Sequence, residues 1–107
     1  MLYEGAMKFV KQSMEAIDNK DIPKRGELIG RAYDIVMELM SSLNHDIGGD
    51  MAKNLEQLYI YCLEELTRAN ITAEKKHLEN CLKVLNTLYD GWSKAIESIK
   101  KKESQSA

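Results

Sequence analysis

The chain has 107 residues, 44% hydrophobic and 30% charged, with 15 basic and 17 acidic side chains and a net charge of −2. That length fits one domain, and that balance excludes a chain too polar to bury a core. Charges of both signs are interleaved and the only basic run, Lys100-Lys101-Lys102, lies near the end, so the basic stripe that phosphate neutralisation requires is missing and nucleic acid is not an expected partner.

The first predicted element is a helix over 2–18. Tyr3, Met7, Val10, Met14 and Ile17 alternate by four and three, beside a second stripe of Leu2, Ala6, Phe9, Ser13 and Ala16, and residues at that spacing share a helix face. Asp18-Asn19-Lys20-Asp21 ends it. Asp21 suits the N-cap of a second helix over 22–43, with Pro23, the only proline, in a first turn where its missing N–H costs nothing. Leu28, Ala32, Ile35 and Leu39 form one stripe of this helix, and Ile29, Tyr33, Val36, Met40 and Leu43 another. Gly26 and Gly30, one turn apart, fit either a close backbone approach or two glycines tolerated in a packed helix.

The turn Asn44-His45-Asp46-Ile47-Gly48-Gly49 precedes a third helix over 50–69, with Asp50 as its cap. Its seam is read as Met51, Leu55, Leu58, Cys62 and Leu66, with Ala52, Tyr59, Leu63 and Ala69 alongside. Asn70-Ile71-Thr72 breaks it, and Thr72 caps a fourth helix over 72–100. That helix carries Leu78, Cys81, Leu82, Leu85, Leu88, Tyr89, Trp92, Ile96 and Ile99 on one face. Nothing alternates as a strand does. Four helices with short links predict an all-α, antiparallel up-down four-helix bundle over residues 1–100, followed by a polar, disordered tail over 101–107. Cys62 and Cys81 fall among apolar residues at helical spacing and read as reduced, buried small hydrophobes. No apolar run approaches the ~20 residues of a membrane span, and no signal-peptide pattern opens the chain, which points to a cytoplasmic protein with no membrane insertion.

Candidate chemistry is sparse. Glu74 and His77 have the spacing of di-iron bundles, but those need a second such pair and further inward glutamates. His77 is followed by Leu78-Glu79-Asn80, where phosphorelay bundles place a lysine and a glycine. We therefore read it as a solvated first-turn residue. His45-Asp46 beside Gly48-Gly49 reads as a turn with polar caps. The expectation is a protein that is not an enzyme and holds no cofactor and no metal.

The apolar arcs of the second and third helices are wide. Tyr33, Met37 and Met40 lie at one edge of the second helix, and Ile60 and Tyr61 lie outside the centre of the third. Either the bundle has a broad core with scattered surface residues, or a second apolar face stays open for a partner helix or peptide. The six methionines lean toward an adaptable binding face.

Four blocks carry a family resemblance. Met1-Leu2-Tyr3-Glu4-Gly5-Ala6 is one. Ala32-Tyr33-Asp34-Ile35-Val36-Met37-Glu38-Leu39 with Ser42-Leu43 is the second. Gly48-Gly49-Asp50-Met51-Ala52-Lys53-Asn54-Leu55 with Leu58-Tyr59-Ile60-Tyr61 is the third. Leu66-Thr67-Arg68-Ala69-Asn70, with Leu88 and Trp92, is the last. In order and spacing, across residues 1–99, they resemble the FliS family of flagellar secretion chaperones. The resemblance implies an antiparallel bundle that binds the disordered C-terminal segment of flagellin in the cytosol, blocks premature polymerisation, and delivers the subunit to the export gate of the flagellar type III apparatus. We place the client surface at Tyr33, Met37, Met40, Ile60 and Tyr61. The alternatives are a bundle that only self-associates and a phosphorelay-type signalling domain.

The resemblance also implies about twenty residues before the first block, similar to a lid over part of the groove. Their absence here leads us to expect homo-oligomers formed through the uncovered apolar groove, more than in a version carrying the extra residues.

Overall fold

The computed structural model describes the backbone of residues 2–106 and the side chains of residues 2–103. It contains four helices, α1 (Leu2–Asp18), α2 (Ile22–Ser41), α3 (His45–Thr72) and α4 (Lys75–Ser106), and no strand among the described residues. Each helix packs on its two neighbours in a closed square, α1 on α2, α2 on α3, α3 on α4 and α4 on α1. Paired positions run in opposite directions across each seam. Phe9 meets Arg31 across α1–α2, where Gly5 meets Ile35. Arg25 donates to the Asn70 carbonyl across α2–α3. Tyr3 and Tyr89 meet across α1–α4, and Lys75 Nζ pairs with Asp18 Oδ1 at 2.8 Å. The arrangement is the predicted all-α antiparallel up-down bundle.

The links are short because one residue serves two helices. Lys20 adopts φ +55°, Lys20 N donates to Ile17 O and Asp21 N to Ala16 O, the left-handed closure that satisfies the last carbonyls of a helix. Asp21 then accepts from Lys24 N at 3.2 Å and caps α2, with Pro23 in the first turn as predicted.

The next two links differ from the sequence reading. α2 stops at Ser41 instead of Leu43. The first turn of α3 begins at His45, capped by the Asn44 side chain, which accepts from Asp46 N and Ile47 N at 3.1 Å each. This turn meets the rest of α3 at Gly49, whose φ +52° and ψ −125° break the helical path, so Asp50 continues a helix already started. Asn44, an equally good capping residue, lies one turn ahead of the glycines and wins. At the far end Asn70-Ile71-Thr72 does not break α3, which runs through Thr72 and closes on Ala73 at φ +58°. Thr72 Oγ1 accepts from Glu74 N at 3.2 Å, so it bridges the turn from the end of α3, and α4 starts at Lys75. α4 continues to Ser106, past the Lys100 boundary of the expected tail. Lys100 to Glu103 are good helix formers, and no Gly or Pro interrupts the sequence up to Gln105. Ala107 lies outside the described residues.

The core is built from Ala6, Met7 and Val10 of α1, Ile29, Ala32, Val36 and Leu39 of α2, Tyr59, Cys62, Leu63, Leu66 and Ala69 of α3, and Leu78, Cys81 and Leu85 of α4. On α3 it takes Cys62 and Leu66 from the expected seam, with Leu55 packed against the cluster, and the rest from the flanking stripe. Met51 is 72% exposed and Leu58 is also exposed, whereas Ala52, Tyr59 and Leu63 are buried. α3 carries apolar residues over so wide an arc that periodicity fixes the helix without fixing its rotation. Gly26 and Gly30 mark no close backbone approach. A Cβ on Gly30 meets nothing within 4 Å, and one on Gly26 only the Asn70 side-chain oxygen at 3.9 Å.

Candidate functional site

With the core assigned, the apolar side chains left in solvent become informative. On α2 and α3 the exposed set includes Tyr33, Met37, Leu58, Ile60 and Tyr61. Tyr33 of α2 and Ile60 of α3 face a common groove of about 490 Å³, floored by buried Leu63 and bordered by Glu64, Thr67 and Arg68. Both side chains sit on the outer edge of their helix because the inner edge is taken by Ala32 and Val36 on α2 and by Tyr59 and Leu63 on α3.

The five expected surface residues therefore separate. Tyr33 and Ile60 come together. Met37 is exposed one turn further along the same face of α2. Met40 is half-buried and packs against the core. Tyr61, next to Ile60 in sequence, lies about 100° round the helix and does not line this groove. It senses Glu65, Cys62 and Cys81; partial desolvation and then the Glu65 charge push its hydroxyl above the ordinary tyrosine value. On the α3–α4 side a smaller groove of about 230 Å³ is lined by Leu58, Lys83, Val84, Thr87 and Leu88. Leu58 was read as core, and its exposure follows from the same rotation of α3.

Behind the first groove lies a polar cluster that sequence reading missed. The Glu65 side chain is 5% exposed. Its Oε2 accepts from His77 Nδ1 at 2.7 Å and from Asn80 Nδ2 at 3.5 Å, and its Oε1 from Arg68 Nη1 at 2.8 Å. Burial alone would push the carboxyl up, but the donors of His77, Arg68 and Asn80 outweigh it and hold the pKa below the ordinary glutamate value. His77 is thus not the solvated residue expected from sequence: its side chain is 15% exposed and tied to α3. Glu74, its supposed partner, pairs instead with Lys76 Nζ at 3.3 Å. His45 Nε2 lies 3.0 Å from Glu56 Oε2 and so links the first turn of α3 to a later one. Among the described residues no three His, Cys, Asp or Glu side chains converge as a metal site would require.

An aromatic cluster joins the start of α1 to α3 and α4. Tyr3 shares a hydroxyl–hydroxyl hydrogen bond with buried Tyr59, Tyr89 donates to Glu4 Oε1, and Tyr89 stacks on Trp92. No helix among the described residues is long and apolar enough to cross a membrane.

The sequence profile of the family described as Flagellar protein FliS matches residues 1–99. Among curated proteins, the chain is 35% identical over 92 residues to the flagellar secretion chaperone FliS of Vibrio cholerae, covering 86% of this chain and 68% of that one. It is 32% identical over 92 residues to the flagellar secretion chaperone FliSB of Pseudomonas aeruginosa, covering 86% and 73%. With the flagellar secretion chaperone FliS of Bacillus subtilis it shares 31% identity over 101 residues, covering 94% and 74%.

Proposed function

Because the chain belongs to the FliS family of flagellar secretion chaperones, a non-enzymatic family, we propose that it binds the disordered C-terminal segment of flagellin in the cytoplasm. There it prevents premature polymerisation and delivers the subunit to the flagellar type III export apparatus. The observation that carries this reading is the α2–α3 groove, where Tyr33 and Ile60 stay in solvent over an apolar floor although the core beneath is complete. A disordered segment gives up conformational freedom on docking, about 2–5 kcal/mol of the gross interaction, and burial of apolar surface offsets that loss. Met37 extends the groove along α2. Met40 contributes by packing against the core, and exposed Tyr61 offers a further apolar contact outside this groove. Release needs no bound nucleotide if the export gate competes for the same segment.

The test is co-purification and calorimetric titration of the full chain with the C-terminal segment of the flagellin encoded in the same genome. The expected result is one-to-one binding with a negative heat-capacity change and a gain of helix. Absence of binding at micromolar concentrations, with the bundle folded, sinks the reading and favours a bundle whose apolar edges serve only self-association.

A further inference from the structure

A buried carboxylate is costly to keep beside an apolar core, and Glu65 has one partner that reaches the groove. Arg68 lines that groove with Tyr33 and Ile60, and its Nη1 is held 2.8 Å from Glu65 Oε1. The Glu65 side chain is 5% exposed and that of Arg68 53%, so the guanidinium is anchored at one end and open to solvent at the other. Among the described residues its remaining N–H groups form no other hydrogen bond. The other polar groups of the groove offer less. Thr67 Oγ1 donates to the Leu63 carbonyl within its own helix at 2.9 Å, and Glu64, once ionised, only accepts.

We propose that Arg68, positioned by Glu65, is the polar anchor of the α2–α3 groove and donates hydrogen bonds to main-chain carbonyls of an uncharged, apolar client segment. This rests on the chaperone reading above. A segment entering the groove loses water from its carbonyls, and each one left unpaired costs about 1–3 kcal/mol. A fixed, planar guanidinium meets that need with little entropy left to lose, which a lysine does not. The acceptor is neutral because the Arg68 charge is already matched by Glu65. A client Asp or Glu at this register faces the carboxylates of Glu64 and Glu65 against one guanidinium and is disfavoured.

The probes are the C-terminal segment of the flagellin from the same genome and a set of its variants, each with one Asp stepped through the apolar stretch, titrated against the full chain. Arg68→Ala and Arg68→Lys should each weaken the unmodified peptide about tenfold, near the worth of one hydrogen bond. With the wild-type chain, Asp at one register should cost at least tenfold. Glu65→Gln raises the local charge by one unit and should shrink that penalty at least fivefold, a gain that about 0.5 M NaCl removes. A purely structural Glu65 would lower the melting temperature and leave the Asp penalty as it was, and that result overturns the proposal. So does wild-type affinity in Arg68→Lys, which also decides the matter if Glu65→Gln fails to fold. If wild type binds and the Arg68 variants match it, only this proposal falls; if wild type binds no peptide, the chaperone reading falls with it.

Discussion

Cys62 of α3 and Cys81 of α4 face each other at the centre of the bundle, with the Cys62 thiol 3.9 Å from the Cys81 carbonyl oxygen and both side chains fully buried and free. Contact with Cys62 and then burial push the Cys81 thiol well above its ordinary value, so at neutral pH it carries almost no thiolate, the form that reacts.

Both thiols should therefore be silent toward an aromatic disulfide reagent in the folded protein and react at the rate of unfolding. Two equivalents should be released in denaturant and fewer than a tenth of that within minutes under native conditions. Rapid release of either thiol in native buffer contradicts the packing of α3 on α4.

Groove residues on α2 and α3 should part company with a core-packed residue of α2 when truncated. Tyr33→Ala and Ile60→Ala remove exposed side chains, so peptide affinity should fall by about 1–3 kcal/mol with little change in melting temperature. Met40→Ala removes a side chain packed on the core and should cost about 1–3 kcal/mol of stability, with any loss of affinity following from it. Urea unfolding and calorimetry on the same three variants separate the two effects. Equal loss of stability in all three shows that Tyr33 and Ile60 belong to the core.

Glu65 gives the bundle a pH signature. A carboxyl whose pKa is depressed on folding adds stability above its unfolded value and loses it as pH falls through the folded one. Glu65 lies below its ordinary 4.5, because the donors of His77, Arg68 and Asn80 outweigh a desolvation that acts the other way. Wild type should exceed Glu65→Gln in melting temperature at neutral pH, and the gap should close as pH drops below about 4.5. His77→Ala leaves the buried carboxylate short of one donor and should cost about 1–3 kcal/mol near pH 7. A gap between wild type and Glu65→Gln that persists unchanged to pH 3 shows that the carboxylate charge is not what the cluster stabilises.

The elements were legible in the sequence because their punctuation is local. Asp21 and Pro23 mark the start of α2 by groups within one turn of each other, and the three–four spacing of Ala6, Val10 and Ser13 needs no partner to be read. What depended on distant partners was not legible. Met51 and Leu58 are apolar like Ala52 and Leu63, so only packing against the neighbouring helices decides which pair is buried. Glu65 follows Glu64 in a run that looks solvent-facing, and its donor His77 lies twelve positions on, brought to it only when α4 folds back along α3. The groove was half legible. Tyr33 and Ile60 lie off the seam in the sequence pattern and do meet, but Tyr61 cannot share their groove because adjacent residues on a helix point about 100° apart.

Two glycines should respond to alanine with opposite signs. Gly30 lies within α2 with ordinary helical backbone, exposed, and a Cβ built on it meets nothing within 4 Å. Alanine there restricts the unfolded chain and suits the helix, so Gly30→Ala should stabilise the bundle by about 0.5–1 kcal/mol. Gly49 also has open space around it, yet its φ +52° and ψ −125° lie where an L side chain is strained. Gly49→Ala should therefore destabilise by about 1–3 kcal/mol, or force the turn at His45 to realign with the rest of α3. Because neither site meets a steric contact, the difference isolates backbone conformation from packing. Denaturant midpoints of the two variants, with slopes checked for equality, measure it. If Gly49→Ala proves neutral, the break in α3 is not imposed by the fold, and the His45–Glu56 pair should then survive at a straightened helix start.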